Sequence, residues 1–250
     1  MTRDDATPNG HQHRTHAAVL GCVVVALALI GLGLRRPAAP IGRFLLGVGV
    51  LLVVQLLVFR QALEAARREA GPQRLTLATG VTIHRGAALA LLAGVLAVGE
   101  PSGALVWAPG VLFAIAASLD AVDGAVARAT DAVTEFGGRL DVEVDALTVL
   151  VGSTAAVFVG AAPVAFLAVG LARYGFVAGI WLRRRRGRPV FDLPPSQTRR
   201  GLGAAAMAVI WLALLPIPGP RLTWYLTTAV LVPFLLQFGR DWLAVSRGPN

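Results

Sequence analysis

The sequence predicts an all-α polytopic membrane protein, a helix bundle with about eight transmembrane helices. Three observations predict it. The 250 residues are 56% hydrophobic, with a mean hydropathy of +0.67. Only 15% are charged, against roughly 25% in soluble domains. Apolar runs close to the ~20 residues that cross a bilayer recur along almost the whole chain. A bundle of this size forms one domain rather than two.

Residues 1–16 are polar and hold three of the four histidines, His11, His13 and His16. They read as a disordered cytoplasmic tail. The His-x-His pair has no further ligands nearby, which argues against a metal site there. Eight apolar segments follow, at 17–34, 41–59, 80–98, 104–127, 141–161, 163–182, 201–216 and 221–238. The first is too long for the apolar region of a signal peptide and lacks a small-residue cleavage site, so it reads as a membrane helix. It contains Cys22, the sole cysteine, which excludes an intramolecular disulfide and a cysteine metal centre. The seventh is short, its end marked by Pro216 and Pro218. The polar stretch 60–79 sets the first two segments (17–73) apart from a six-helix core that begins near residue 74 and runs to 250. No repeat of 20–50 residues appears.

Orientation follows from charge. The net charge is +9, and all 23 basic residues are arginine. They cluster in short loops: Arg60, Arg67, Arg68 and Arg74; Arg128 and Arg139; Arg183–Arg186, Arg188, Arg199 and Arg200. Residues 99–103 and the turn near 162 carry none. The charged loops therefore face the cytoplasm, with both termini inside. The loop at 35–43, with Arg35, Arg36 and Arg43, falls outside in this scheme and fits it badly. With no soluble basic domain and no base-stacking motif, nucleic acid is excluded as a partner. Trp107, Trp181, Trp211, Trp224 and Trp242 fall near segment ends, as interfacial aromatic belts do.

The chemistry concentrates between Asp120 and Asp145. The order is Asp120-x-x-Asp123-Gly124-x-x-Ala127-Arg128, eight residues, then Gly137-x-x-x-Asp141-x-x-x-Asp145. An ionisable residue at membrane depth costs at least ~2.5 kcal/mol, so four carboxylates there need a use. Residues three or four apart share a helix face. Asp120 and Asp123 therefore share one near the cytoplasmic end of the fourth segment, and Gly124, Ala127 and Arg128 continue it. Asp141 and Asp145 share a face at the start of the fifth. Gly137 and Gly138 supply the turn between. Glu143 points elsewhere. Converging carboxylates repel unless neutralised, and hard oxygen donors suit Mg²⁺, Mn²⁺ or Ca²⁺. Two ions about 3.5–4 Å apart clamp a phosphoryl group. Gly124 and Ala127 let a bulky ligand such as a nucleotide approach, or let helices pack. Arg128 pairs with phosphate or carboxylate. An ion pathway and a salt-bridged loop are the competing readings of the same residues.

The stretch resembles the motif of the CDP-alcohol phosphatidyltransferase family at all eight positions: Asp120, Asp123, Gly124, Ala127, Arg128, Gly137, Asp141 and Asp145. The resemblance covers roughly 74–240. It implies a membrane enzyme, usually homodimeric, with six core helices. It implies Asp120, Asp123, Asp141 and Asp145 as ligands of Mg²⁺ or Mn²⁺, two ions in all, with Asp145 also the general base. Gly124, Ala127, Arg128 and Gly137 would form the CDP face. Thr79-x-x-Thr82-x-x-Arg85 is similar to the Asn-x-x-Thr-x-x-Arg that starts the family's core, with Thr79 in place of Asn. Thr82 and Arg85 would face the CDP site, or Arg85 would anchor a helix end.

For the acceptor, Arg173 lies within the sixth segment, where an arginine needs a partner; a phosphate and an aspartate are both candidates. Arg199 and Arg200 precede the seventh segment and are candidates for holding an acceptor phosphate. The run Arg183–Arg186 reads as interfacial anchoring with attraction to anionic membrane lipids. The expected reaction is transfer of a phosphatidyl group from CDP-diacylglycerol to an alcohol, with release of CMP. The acceptor first favoured is a phosphorylated polyol, glycerol 3-phosphate or inositol phosphate. The expected location is the cell (inner) membrane, with the site facing the cytoplasm. Two other classes stay open: a transporter, which predicts flux without CMP release, and a non-catalytic scaffold, which predicts metal binding without turnover.

Overall fold

The computed structural model describes residues 41–73, 76–129, 134–193 and 195–247, with the side chains of 77–78 and 120–129 outside that description. The tail 1–16, the segment 17–34 and the 35–40 part of the following loop therefore lie outside the described residues. Among the described residues there are seven α-helices and no strand: α1 Ile41–Ala70, α2 Leu77–Val98, α3 Ala108–Ala129, α4 Glu135–Phe158, α5 Leu167–Arg185, α6 Gln197–Ala213 and α7 Pro220–Arg247. Short 3₁₀ turns at Gly103–Trp107 and Val164–Phe166 lead into α3 and α5. Helices within Ile41–Ala70, Thr79–Val98, Val164–Arg185 and Pro220–Arg247 are long and apolar enough to cross a membrane, and the protein is membrane-integral.

Several boundaries differ from expectation. The stretch 60–70, read as loop, continues α1, because Gln61, Ala62, Glu64, Ala65 and Ala66 are strong helix formers and the arginines among them sit on an exposed face. Gly71, at φ +75°, ends the helix. Gly137 and Gly138 are helical rather than a turn. Thr134 caps α4 just before them, its hydroxyl accepting from the Gly137 N–H at 3.0 Å. Arg199 and Arg200 lie in the first turn of α6, which starts at Gln197 after the Ser196 cap. The last helix runs past 238 to Arg247.

The described chain falls into two compact units, and α3 and α4 each contribute to both. The first unit holds the residues through Pro101 with Ala114–Asp145. In it α1 packs on α2 through glycine. A Cβ on Gly47 would lie 2.6 Å from the Ala93 carbonyl oxygen, and one on Gly94 would lie 2.6 Å from Val48 Cγ2. The backbones thus approach more closely than any larger residue permits. Gln55 Nε2 donates to the Gly86 carbonyl at 2.8 Å, using the space left by the missing Cβ. The opposite face of α1, with Leu46, Val50, Val53 and Leu57, is exposed along one helical stripe. In α2, by contrast, 61% of the apolar window is buried, against 17% in α1, so α2 is an inner helix.

The second unit holds Ser102–Phe113 with residues from Ala146 onward. Gly152 seats the Phe113 ring, and a Cβ there would also lie 2.6 Å from Ile210 Cγ2. Phe176 meets Phe238 and Trp242 edge-on, with centroids 5.9 and 5.8 Å apart. Trp242 covers Gly179; it is therefore a packing residue and not one of the exposed belt, whereas Trp107, Trp181, Trp211 and Trp224 are exposed. Gly187, at φ +64°, closes α5. Arg183 then donates to the carbonyls of Pro189 (3.0 Å) and Ser246 (2.8 Å), tying the loop after α5 to the end of α7.

Candidate active site

The start of α2 is set by a reciprocal cap. The Thr76 hydroxyl accepts from the Thr79 N–H at 3.2 Å, and the Thr79 hydroxyl accepts from the Thr76 N–H at 3.4 Å. This fixes the helix phase and places Thr79, Thr82 and Arg85 on one buried stripe, each 2% exposed or less. Thr79 thus serves the backbone.

Arg85 is fully buried, which is costly for a cation unless it is matched. Its match comes from α4. Nη1 lies 3.1 Å from Asp141 Oδ1, and Nη2 is paired with Asp145 Oδ1. One guanidinium therefore spans both carboxylates of the second half-motif, 56 and 60 residues away in sequence. A planar fork suits this, since it presents parallel donors to two oxygens. The carboxylates keep 41% and 50% of their side-chain surface exposed, so they are held from one side and open on the other. The helix-end anchoring role for Arg85 is not what the structure shows. The sequence signal for this pairing is charge balance, four aspartates needing cations, but spacing alone does not choose Arg85.

Gly137 lies between the elements. A Cβ there would come within 2.9 Å of the Thr134 hydroxyl oxygen and 3.9 Å of that of Thr79. The small residue keeps the α4 cap close to the α2 cap. Asp120, Asp123, Gly124, Ala127 and Arg128 lie on the backbone of α3; their side chains fall outside the described residues, as do residues 130–133. Among the described residues no group of three or more metal-binding side chains is assembled. Asp141 and Asp145 are hard oxygen donors on one open face, a set that fits Mg²⁺ or Mn²⁺.

A profile of the CDP-alcohol phosphatidyltransferase family matches residues 75–238. The chain belongs to the CDP-alcohol phosphatidyltransferase family. It is thus an enzyme of that class. A curated relative, archaetidylinositol phosphate synthase from Pyrococcus horikoshii, is 54% identical over 39 residues, 16% of this chain and 21% of that protein. The match thus spans about a fifth of that relative's length. No solved structure matches.

The residues singled out for the acceptor fall in the second unit and do not all come together. Arg173 and Arg199 line a cavity of about 330 Å³ with Phe176, Leu202, Phe234 and Phe238. Arg200 is exposed and does not line it. Arg199 is not a bare cation. Its Nε donates to Asp241 Oδ2 at 2.9 Å and its Nη2 to Asp241 Oδ1 at 3.2 Å. Gln237 Nε2 adds a bond to the same carboxylate at 2.9 Å. Asp241 escapes the sequence reading because the last apolar segment ends at 238. Its signals are its place as the one acid after Asp192 and the Gln237–Asp241 spacing of four.

Proposed function

We propose that the protein transfers a phosphatidyl group from CDP-diacylglycerol to an alcohol, releasing CMP, with Mg²⁺ or Mn²⁺ required. The observation that carries this reading is the buried Arg85 fork, which presents Asp141 and Asp145 on one half-open face within a complete eight-position motif. The guanidinium orients both carboxylates from one side and leaves their other side open to a ligand. Asp120, Asp123, Asp141 and Asp145 would hold two ions, which would supply charge neutralisation for the diphosphate and the leaving group. Asp145 takes the proton from the acceptor hydroxyl. The acceptor oxygen then bonds to the β-phosphorus, the bond to the bridging oxygen breaks, and CMP departs. Gly124, Ala127, Arg128 and Gly137, with Thr82, form the CDP face, and Arg85 holds the carboxylates beside it.

The acceptor is a phosphorylated polyol. The activity for which the archaeal relative is named favours inositol phosphate over glycerol 3-phosphate. Arg173 and Arg199 are the residues for its phosphate; the exposed Arg200 contributes less. Residues 74–250 form the six-helix catalytic part, 17–73 add two helices to complete eight, and 1–16 are a cytoplasmic tail. The enzyme sits in the inner membrane with its site towards the cytoplasm, and works as a homodimer. Family membership counts against the transporter and scaffold readings.

The test is CMP release from CDP-diacylglycerol by purified protein with Mg²⁺ or Mn²⁺, offered glycerol 3-phosphate, inositol phosphate, inositol, serine or glycerol. Asp145→Asn is the blank. Release with one phosphorylated polyol, absent in the blank, is expected; release only with an unphosphorylated acceptor refutes the acceptor assignment.

A further inference from the structure

Helix α1 and the turn after it lie outside the matched 75–238, yet they touch both helices that make the Arg85 fork. Towards α2 they make the glycine crossing at Gly47 and Gly94 and the Gln55 bond to Gly86, the residue after Arg85. Towards α4 they make three contacts at its first turn. The Gln73 Oε1 accepts the Phe136 N–H at 3.3 Å, one of the donors that a helix start leaves unsatisfied. The same side chain donates through Nε2 to the Gly71 carbonyl at 3.0 Å and the Ala66 carbonyl at 3.4 Å, at the end of α1. One glutamine thus caps the end of α1 and the start of α4 together. Glu69 pairs with Arg139, which also donates to Glu135 at 2.9 Å; the Glu135 hydrogen bond raises the Arg139 pKa above its ordinary value. Phe59 meets the fully buried Phe136 edge-on, with centroids 5.1 Å apart.

The Arg85 fork needs α2 and α4 to keep one register. Asp141 and Asp145 follow Phe136 on one rigid helix, so a shift or rotation at Phe136 carries through to both. At ~1.5 Å per residue, even a slip of one residue is enough to break the fork. The first turn of α4 is where Gln73, Glu69 and Phe59 act. We infer that α1 and Gln73 form a positioning element that sets the register of the Asp141/Asp145 helix against Arg85, with Gln73 as its main residue. This rests on the reading of the aspartate motif as the metal and transfer site.

The experiment uses the full chain in detergent, with variants Gln73→Leu, Gln73→Glu and Glu69→Gln, and Asp145→Asn as control. Three quantities are measured: Mn²⁺ half-saturation by electron paramagnetic resonance, kcat and KM for CMP release, and the thermal unfolding midpoint. A residue that orients metal ligands typically costs about 10- to 100-fold in metal affinity or activity when lost. We expect Gln73→Leu to unfold cooperatively, to raise the Mn²⁺ half-saturation about 10-fold and to lower kcat similarly, with KM for CDP-diacylglycerol within about twofold. Gln73→Glu, which keeps an acceptor for the Phe136 N–H, recovers part of both. Glu69→Gln, at an exposed pair, folds normally and moves the Mn²⁺ titration in the same direction by about twofold. Should Gln73→Leu not fold, the Glu69→Gln titration decides. Unchanged Mn²⁺ half-saturation in the folded variants overturns the inference while Asp145→Asn remains inactive. So does a loss of activity that only follows the folded fraction. Full activity of Asp145→Asn removes the underlying reading, and the inference with it.

Discussion

Replacing Arg85 with methionine keeps most of the side-chain volume and removes the charge. In the native site one guanidinium makes a 3.1 Å bond to Asp141 and pairs with Asp145. A hydrogen bond to a charged group contributes about 1.5–3 kcal/mol, so two give about 3–6 kcal/mol in a dry site. The carboxylates are 41% and 50% exposed, and solvent screens that side of the interaction. Halving the sum leaves about 1.5–3 kcal/mol of lost stability. The variant also takes the shared Arg85 guanidinium from two carboxylates one turn apart, so their mutual repulsion rises. We expect transfer to fall at least about 100-fold, as for a misplaced reacting group. Arg85→Lys keeps the charge but cannot fork, so its stability should lie near native and its activity between the two. The assay is CMP release beside thermal unfolding in the same detergent, with and without Mn²⁺. Metal should stabilise Arg85→Met more than the native protein, because it then supplies the missing positive charge. Native-like activity and stability in Arg85→Met would refute the reasoning.

Asp145→Asn, whose amide oxygen can still accept from Arg85, should abolish CMP release while the chain still inserts and folds; turnover within about tenfold of native would remove Asp145 as the base. Gly47→Leu drives a side chain into the Ala93 carbonyl and should cost about 1–3 kcal/mol, read as a lower unfolding midpoint, whereas Val50→Leu on the exposed stripe should cost nothing measurable. Arg199→Gln should raise KM for a phosphorylated acceptor about 10-fold or more without changing that for CDP-diacylglycerol; an equal change in both would place Arg199 in the scaffold instead. Chelation should stop turnover and added Mg²⁺ or Mn²⁺ restore it; activity that survives exhaustive chelation would refute the metal requirement.

The helical membrane class is legible because hydropathy is a property of long windows, and the eight motif positions because they sit close together in sequence. What the sequence conceals is long-range, or local in a way that composition blurs. Arg85 and its two aspartates are 56 and 60 residues apart, and nothing in spacing selects that partner over Asp120 or Asp123. The arginines of 60–70 suggest a loop, yet charge on one face of a helix is compatible with helix, and alanine around them favours it. Gly137 and Gly138 suggest a turn, but the threonine before them supplies a cap that starts the helix first. Asp241 lies just past an apolar window, where a hydropathy average no longer sees it.

The glycine crossing of α1 and α2 has an evolutionary consequence. At Gly47 the Ala93 carbonyl, and at Gly94 the Val48 and Phe44 side chains, take the space a Cβ would need, so these two positions are constrained for size and not for hydrophobicity. Along the exposed stripe the reverse holds: Leu46, Val50, Val53 and Leu57 have no close-packed neighbour setting their size, so one branched apolar residue serves as well as another. Descendants of this chain can therefore drift freely in what looks, by hydropathy, like the most strongly marked part of α1, while the two positions that contribute nothing to hydropathy stay fixed. Gly47→Val would raise the hydropathy of α1 and still place a branched side chain against the Ala93 carbonyl, on the face of α1 that α2 depends on.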